Sequence, residues 1–246
     1  MGIKYQVDEK FFKKWGREMA YVLGYWYADG SLEDASYLRG KYIRVTGVDK
    51  NTILKIKKYL GSKHTVVIIE PIIESRKTRY LLRIGSHALY NDLINLGLFP
   101  NKSLTVRLPN VPRKYLSDFV RGYFDGDGCV HLERGRNKKQ KTIIKRMRVT
   151  FTSGSKVFLE ELAVILKNTA ELKCGAVYNG NRSFQLQYPT SDSLTLFKFM
   201  YGNVPPNLYL KRKLKIFIKY FKLRPSRIDN IIGNMLNFLN NGHVVK

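Results

Sequence analysis

Hydrophobic positions recur with two periods along this chain, and the order in which the periods alternate occurs twice. Asp8 to Tyr27 carries apolar residues at helical spacing, with Asp8 as candidate N-cap; Lys114 to Gly126 does the same after the breaks at Pro109 and Pro112. After the first helix, strands are expected near 31–36 and 40–48, a helix at 50–60, strands near 65–72 and 78–84, and a helix at 86–96. After the second come strands near 129–135 and 142–152, a helix at 155–167, strands near 174–179 and 182–188, and a helix at 190–201. Helix, hairpin, helix, hairpin, helix thus appears twice over. A polar residue opens the last helix of each copy: Ser86 lies 57 residues after Asp29, and Thr190 lies 63 after Asp127. The Pro-punctuated stretch LTVRLPNVP, 104–112, links the copies. The expected division is therefore 1–106, 107–224 and a helical tail at 225–246 with Ile228, Ile231, Ile232, Met235, Leu236 and Leu239 as its apolar stripe.

Charge narrows the class of partner. The 246 residues hold 44 Lys and Arg against 19 Asp and Glu, a formal charge of +25, while 44% hydrophobic residues suffice for a core. A foldable chain that tolerates such self-repulsion points to a polyanionic partner, nucleic acid before anionic membrane. No apolar run approaches the roughly 18 residues of a membrane span, and MGIKYQVDEKFF has no signal-peptide core, so a soluble protein of the cytoplasm, nucleoid or an organelle matrix is expected. Cys129 and Cys174 cannot build a disulfide framework and read as buried small hydrophobes. His64, His87, His131 and His243 lack metal-ligand spacing.

Strand alternation then separates core from ligand faces. Ile43 and Val45 oppose Tyr42, Arg44 and Thr46; Tyr80, Leu82 and Ile84 oppose Arg79 and Arg83. In the second copy Met147, Val149 and Phe151 oppose Arg146, Arg148 and Thr150, while Phe184, Leu186 and Tyr188 oppose Ser183, Gln185 and Gln187. Arg and Gln suit bidentate contacts to guanine and adenine edges in a major groove that admits a two-stranded ribbon. Segment 131–148 has eight Lys or Arg against one Glu, and its loop, with Lys138 and Lys139, is expected to hold phosphate.

The chemistry centres on VLGYWYADGSL at 22–32 and VRGYFDGDGCV at 120–130. Gly24 and Ala28 are four apart, as are Gly122 and Gly126, so each helix carries a small-residue stripe that lets two backbones approach closely. If the stripes pack, Asp29 and Asp127 emerge side by side at two helix C-termini. Those ends carry partial negative charge, and two more carboxylates there call for a cation. Magnesium is the natural occupant, taking the two carboxylates, the carbonyls of Ala28 and Gly126, and water. The alternative for either aspartate alone is a simple Asp-Gly turn.

V-L-G-Y-W-Y-A-D-G and V-R-G-Y-F-D-G-D-G look like two copies of the LAGLIDADG motif, and the chain resembles a monomeric, two-repeat LAGLIDADG homing endonuclease up to about residue 224. The resemblance implies an α+β fold of two pseudo-symmetric αββαββα-type halves, whose antiparallel sheets form a DNA-cradling saddle. It also implies a site-specific double-strand endonuclease in which Asp29 and Asp127 bind Mg2+, with calcium binding without cleavage. Tyr27 departs from the motif, since the earlier, non-catalytic Asp stands at Asp125 in the second copy only; a change of packing more than of chemistry is expected. A basic residue near each scissile phosphate falls at Lys102 in FPNKSL and at Lys213 in YLKRKLKIF, with Lys211 or Arg212 as substitutes. Asp49 with Lys50 and Ser155 with Lys156 match a polar pair at the active-site periphery, and a helix-capping role is equally open. The partner implied is double-stranded DNA, with intron RNA as the alternative if the protein is a splicing maturase; a catalytically silent DNA-binding protein is the third reading. Starting at Met1 and ending in Val245-Lys246 without splice-junction residues, the chain reads as free-standing or intron-encoded.

Overall fold

The computed structural model describes residues 5–35, 40–75, 77–136 and 142–241. The chain divides into two compact units, Met1–Asp127 and Gly128–Lys246. Among the described residues the protein is α+β, with one four-stranded antiparallel sheet in each unit and eight α-helices.

The first unit runs α1 (Arg17–Asp29), β1 (Gly30–Ala35), β2 (Gly40–Gly47), α2 (Lys50–Tyr59), β3 (Val66–Ile69), β4 (Arg79–Gly85), α3 (His87–Asn95) and α4 (Leu116–Asp127). Its sheet order is β1-β2-β4-β3. The first helix begins nine residues later than Asp8, because Gly16 is extended (φ −156°, ψ 172°) and Asp8 instead accepts from the Lys10 amide at 2.9 Å ahead of a 3-10 turn at Phe11–Lys13. Helices α1 and α4 each end on their motif aspartate, and Gly30 and Gly128 are the first residues of the strands that follow.

The second unit runs β5 (Gly128–Arg136), β6 (Thr142–Ser153), α5 (Lys156–Ala170), β7 (Ala176–Asn179), β8 (Phe184–Tyr188), α6 (Thr190–Tyr201), α7 (Lys211–Leu223) and α8 (Asn230–Asn241). Its order, β5-β6-β8-β7, repeats that of the first sheet. Whereas Ser86 caps α3 by accepting from the Leu89 amide, Thr190 is itself the first residue of α6 and its hydroxyl donates to the Met147 carbonyl, tying helix to strand.

Register fixes the two faces of each sheet. Val45 pairs with Leu82 and Ile43 with Ile84, all fully buried, so Arg44 opposite Arg83 lies on the other face. In the second sheet Phe151 pairs with Leu186 and Val149 with Tyr188, leaving Thr150 opposite Gln187 and Thr152 opposite Gln185. Helices α2 and α3 cover the first apolar face, and α5 and α6 the second. In α8 the residues turned inward are Ile232, Met235 and Leu239. Ile231, placed by sequence in that stripe, is 58% exposed, since it stands at the edge of the arc that Ile232, Met235 and Leu239 fill, and Ile228, before the helix begins, is exposed as well. Cys174, expected to be buried, is exposed, and Cys129 is half-buried. No described helix is long and apolar enough to cross a membrane.

Candidate active site and nucleic-acid interface

The site is built where α1 meets α4, both in the first unit. A Cβ on Gly24 would lie 2.0 Å from the Phe119 carbonyl oxygen, and one on Gly122 would lie 2.0 Å from that of Tyr21. The two backbones touch, as glycine alone permits. Further along, a Cβ on Gly126 would meet the Ala28 Cβ at 2.4 Å and Asp29 Oδ2 at 3.4 Å, so the Asp29 carboxylate reaches the end of α4 beside Asp127.

The helix pair is also held by polar groups. Arg17 Nε donates to Asp118 Oδ2 at 3.2 Å and Arg121 donates to Asp118 Oδ1, with Asp118 and Arg121 both buried. Nearer the motif end the Tyr21 hydroxyl donates to Asp125 Oδ2 at 2.8 Å. Burial, then the Asp125 charge, pushes the Tyr21 hydroxyl well above its ordinary range, so it stays a donor. Asp125, the earlier acid of the second motif, is thus engaged inside the helix pair. Tyr27, the residue at that place in the first motif, packs edge-on against Phe119 and donates through its hydroxyl to the Leu96 carbonyl at 2.6 Å.

Lys102 joins this site from a distant stretch of sequence. Asn101 adopts the left-handed conformation (φ 58°) and turns the chain into a 3-10 turn at Lys102–Leu104. The Lys102 side chain runs inward, 6% exposed, and Nζ donates to the Tyr27 carbonyl at 2.8 Å. Burial lowers its pKa to about 8, while Asp127 and then Asp29 pull it up. Both motif carboxylates therefore act on one ammonium. A single positive charge set against two carboxylates at two negative helix ends leaves a deficit that a divalent cation would fill, and carboxylate oxygens are hard donors suited to magnesium, manganese or calcium. Among the described residues no group of three or more His, Cys, Asp or Glu is placed to hold a metal. A cation here would rely on the two aspartates, helix-end carbonyls and water.

In the second unit Lys213 is likewise buried, 4% exposed, and Nζ donates to the Gly128 carbonyl at 2.6 Å, whereas Lys211 and Arg212 are exposed. The two polar pairs open helices: Asp49 accepts from the Thr52 amide at 3.1 Å, and Ser155 accepts from the Phe158 amide at 3.3 Å. Lys50 extends toward the Tyr80 ring and Lys156 pairs with Glu160 at 3.2 Å.

The open sheet faces carry the polar residues that alternation places there. On the first, Arg79 donates to Thr46 Oγ1 at 2.9 Å, and Arg83 lies over the Tyr42 ring, its Cζ 3.5 Å from the centroid. Glu33 on β1, which sequence reasoning passed over, accepts from Arg83 and Arg44. The hydrogen bonds from Arg83 chiefly hold its carboxyl below the usual range. Its signal was its place two residues after Ser31 on the alternating strand. On the second face Arg148 donates to Gln187 Oε1 at 3.3 Å and Gln187 to Gln185 Oε1 at 2.9 Å. His131, Glu133, Arg148, Thr150, Gln185 and Gln187 border an open depression of about 450 Å³ there. Arg146 is exposed on the same face opposite Glu133. Lys138 and Lys139 lie outside the described residues.

Residues 114–171 match a family model described as a LAGLIDADG-like domain. Over 99 residues, 37% of the chain, the sequence is 37% identical to a probable translation initiation factor IF-2 of Thermococcus kodakarensis. Over 116 residues, 46% of the chain, it is 29% identical to an uncharacterised protein of Methanocaldococcus jannaschii. The matched stretches are 8% and 39% of those proteins, so the chain spans far less than their full length. Among solved structures it is similar to the homing endonuclease I-WcaI bound to its DNA recognition sequence, with TM-score 0.56 and 13% identity over 84% of this chain and 91% of that one. The LAGLIDADG meganuclease I-AabMI bound to uncleaved DNA gives 0.55 and 13% over 92% and 98%. I-DmoI in complex with DNA and Mn gives 0.51 and 19% over 77% and 98%, and the same protein is also solved with DNA and Ca. At these identities the likeness is one of fold.

Proposed function

We propose that this chain, which carries a LAGLIDADG-like domain on the fold of the LAGLIDADG homing endonucleases, is a divalent-metal-dependent endonuclease that cuts both strands of a long, asymmetric DNA site. The observation that carries the reading is the convergence of Asp29, Asp127 and the buried Lys102 where α1 and α4 end. A cation held by Asp29 and Asp127 with the Ala28 and Gly126 carbonyls, Mg2+ in this reading, would stabilise charge developing on the phosphate and leaving oxygens. The glycine contacts fix the two helix backbones from which the carboxylates project. Lys102, fixed at the Tyr27 carbonyl and poised near pH 8, offsets phosphate charge as an ammonium or holds an attacking water as an amine. Lys213, fixed at the carbonyl of the residue after Asp127, has the same task in the second copy.

The open sheet faces take the duplex, with Tyr42, Arg44, Thr46, Arg79 and Arg83 on one and Arg146, Arg148, Gln185 and Gln187 on the other. Unlike residues on the two faces suit an asymmetric target, and two motifs in one chain suit a monomer. The stretch shared with much longer archaeal translation factors also fits a module carried within a larger host chain, beside an intron-encoded origin.

Incubation of the protein with a randomised duplex library, with magnesium and separately with calcium, followed by sequencing of cut and bound fractions, tests the reading. One long site cut on both strands with magnesium, and bound uncut with calcium, is the expected result. No cutting and no enriched duplex would overturn it and direct attention to a structured intron RNA.

A further inference from the structure

Glu33 is the one acidic residue that the described strands of the first sheet turn to the open face, where a polyanion is proposed to bind. A carboxylate there opposes every duplex alike, so affinity does not explain it. Its geometry suggests another use. Arg83 Nη2 donates to Oε1 at 2.7 Å and Nε to Oε2 at 3.1 Å, a two-point contact along the Nε edge of the guanidinium. The Tyr42 ring, 3.5 Å from Arg83 Cζ, fixes the plane of that group, and Arg44 Nη1 makes a longer contact with Oε2 at 3.5 Å.

A guanidinium is a planar fork of five donors. With the Nε edge taken and one face stacked, the edge formed by Nη1 and Nη2 is aimed within a fixed plane. That edge matches the N7 and O6 acceptors of guanine in the major groove. The second sheet has a similar device, with Arg148 set between Glu133 at 3.8 Å and Gln187 at 3.3 Å.

We infer that Glu33 is a specificity-determining positioning residue, which braces Arg83 for recognition of one guanine in the target. The inference rests on the proposed DNA-reading role of this sheet face. Free arginine side chains sample many rotamers and bind phosphate anywhere; a braced one gives up that general attraction for a single geometry.

The test is selection from a randomised duplex library in calcium with the full chain, run for the wild type, Arg83→Ala and Glu33→Gln, with affinities for the selected and a scrambled duplex. The wild type should fix guanine at one position, and Arg83→Ala should lose it. Glu33→Gln should lower guanine preference at that same position by about fivefold or more. Its affinity for the scrambled duplex should stay equal or rise. Glu33→Gln that keeps the guanine preference, or weakens all duplexes equally, overturns the inference alone, as does Arg83→Ala that relaxes no position. A wild type that enriches no duplex overturns the underlying reading and the inference with it.

Discussion

Replacing Gly24 or Gly122 by alanine tests the helix pairing on which the site depends. The new Cβ would lie 2.0 Å from a carbonyl oxygen of the opposite helix, where ordinary contact begins at 3.4 Å, so about 1.4 Å must be found. Backbone holds both sides of that contact, and no side chain can swing away. Overpacking costs about 1–3 kcal/mol and occasionally more, and the absence of a flexible neighbour places this contact at about 3 kcal/mol or above. Alanine gains about 1 kcal/mol of helix propensity over glycine, leaving a net loss of about 2 kcal/mol or more. For a chain of this length that lowers the melting temperature by roughly 4–8 °C. Because the opening that admits one methyl relieves the other, the double variant should lose less than the sum of the singles. Thermal melts of the two single variants and the double one are the assay. Single variants within about 1 °C of wild type, or strictly additive losses, would refute backbone contact at these glycines.

Other outcomes follow from the same structure. Tyr21→Phe removes a donor from the buried Asp125 carboxylate and should cost about 1–3 kcal/mol in urea unfolding; an unchanged midpoint would show that the contact contributes nothing. Lys102 has a folded pKa of about 8 against an ordinary 10.5, so at this group the unfolded chain binds more protons between those values. Its contribution to stability should rise with pH through that window, by at most about 1.4 kcal/mol per unit, against the opposite slope of buried tyrosines such as Tyr21, Tyr27 and Tyr188, whose hydroxyl pKa values burial raises. Unfolding in EDTA at both ends of the window should give the wild type a more positive slope with pH than Lys102→Met, in which the tyrosines act alike; equal slopes would contradict the burial of the ammonium. Duplex binding should weaken steeply with salt, since a face with so basic a composition engages many phosphates, and a shallow slope would count against that mode of binding.

Much of this was legible in the sequence because the signals repeat. The Gly24/Ala28 and Gly122/Gly126 stripes could be read as a close helix contact from spacing alone, and the alternation around Ile43, Val45 and Met147 assigned faces correctly since one side of each sheet is buried. What spacing does not encode is which polar groups meet across distant sequence. Asp8 looked like a helix cap, but the extended Gly16 separates it from α1. Tyr21 with Asp125, and Glu33 with Arg83, join residues 104 and 50 positions apart, and only the folded register brings them together. Lys102 could be placed by resemblance, yet its burial and its anchor at the Tyr27 carbonyl depend on the left-handed turn at Asn101.

In the proposed function Asp29 and Asp127 form a cutting site distinct from the duplex-reading faces. Asp29→Asn and Asp127→Asn, assayed on supercoiled plasmid carrying the selected site in magnesium, with binding measured in calcium, address it directly. Each variant should yield no linear product while its affinity stays within about threefold of wild type, less than one tenfold step or about 1.4 kcal/mol. Linear product at the wild-type rate, or a loss of binding as large as the loss of cutting, would contradict the account.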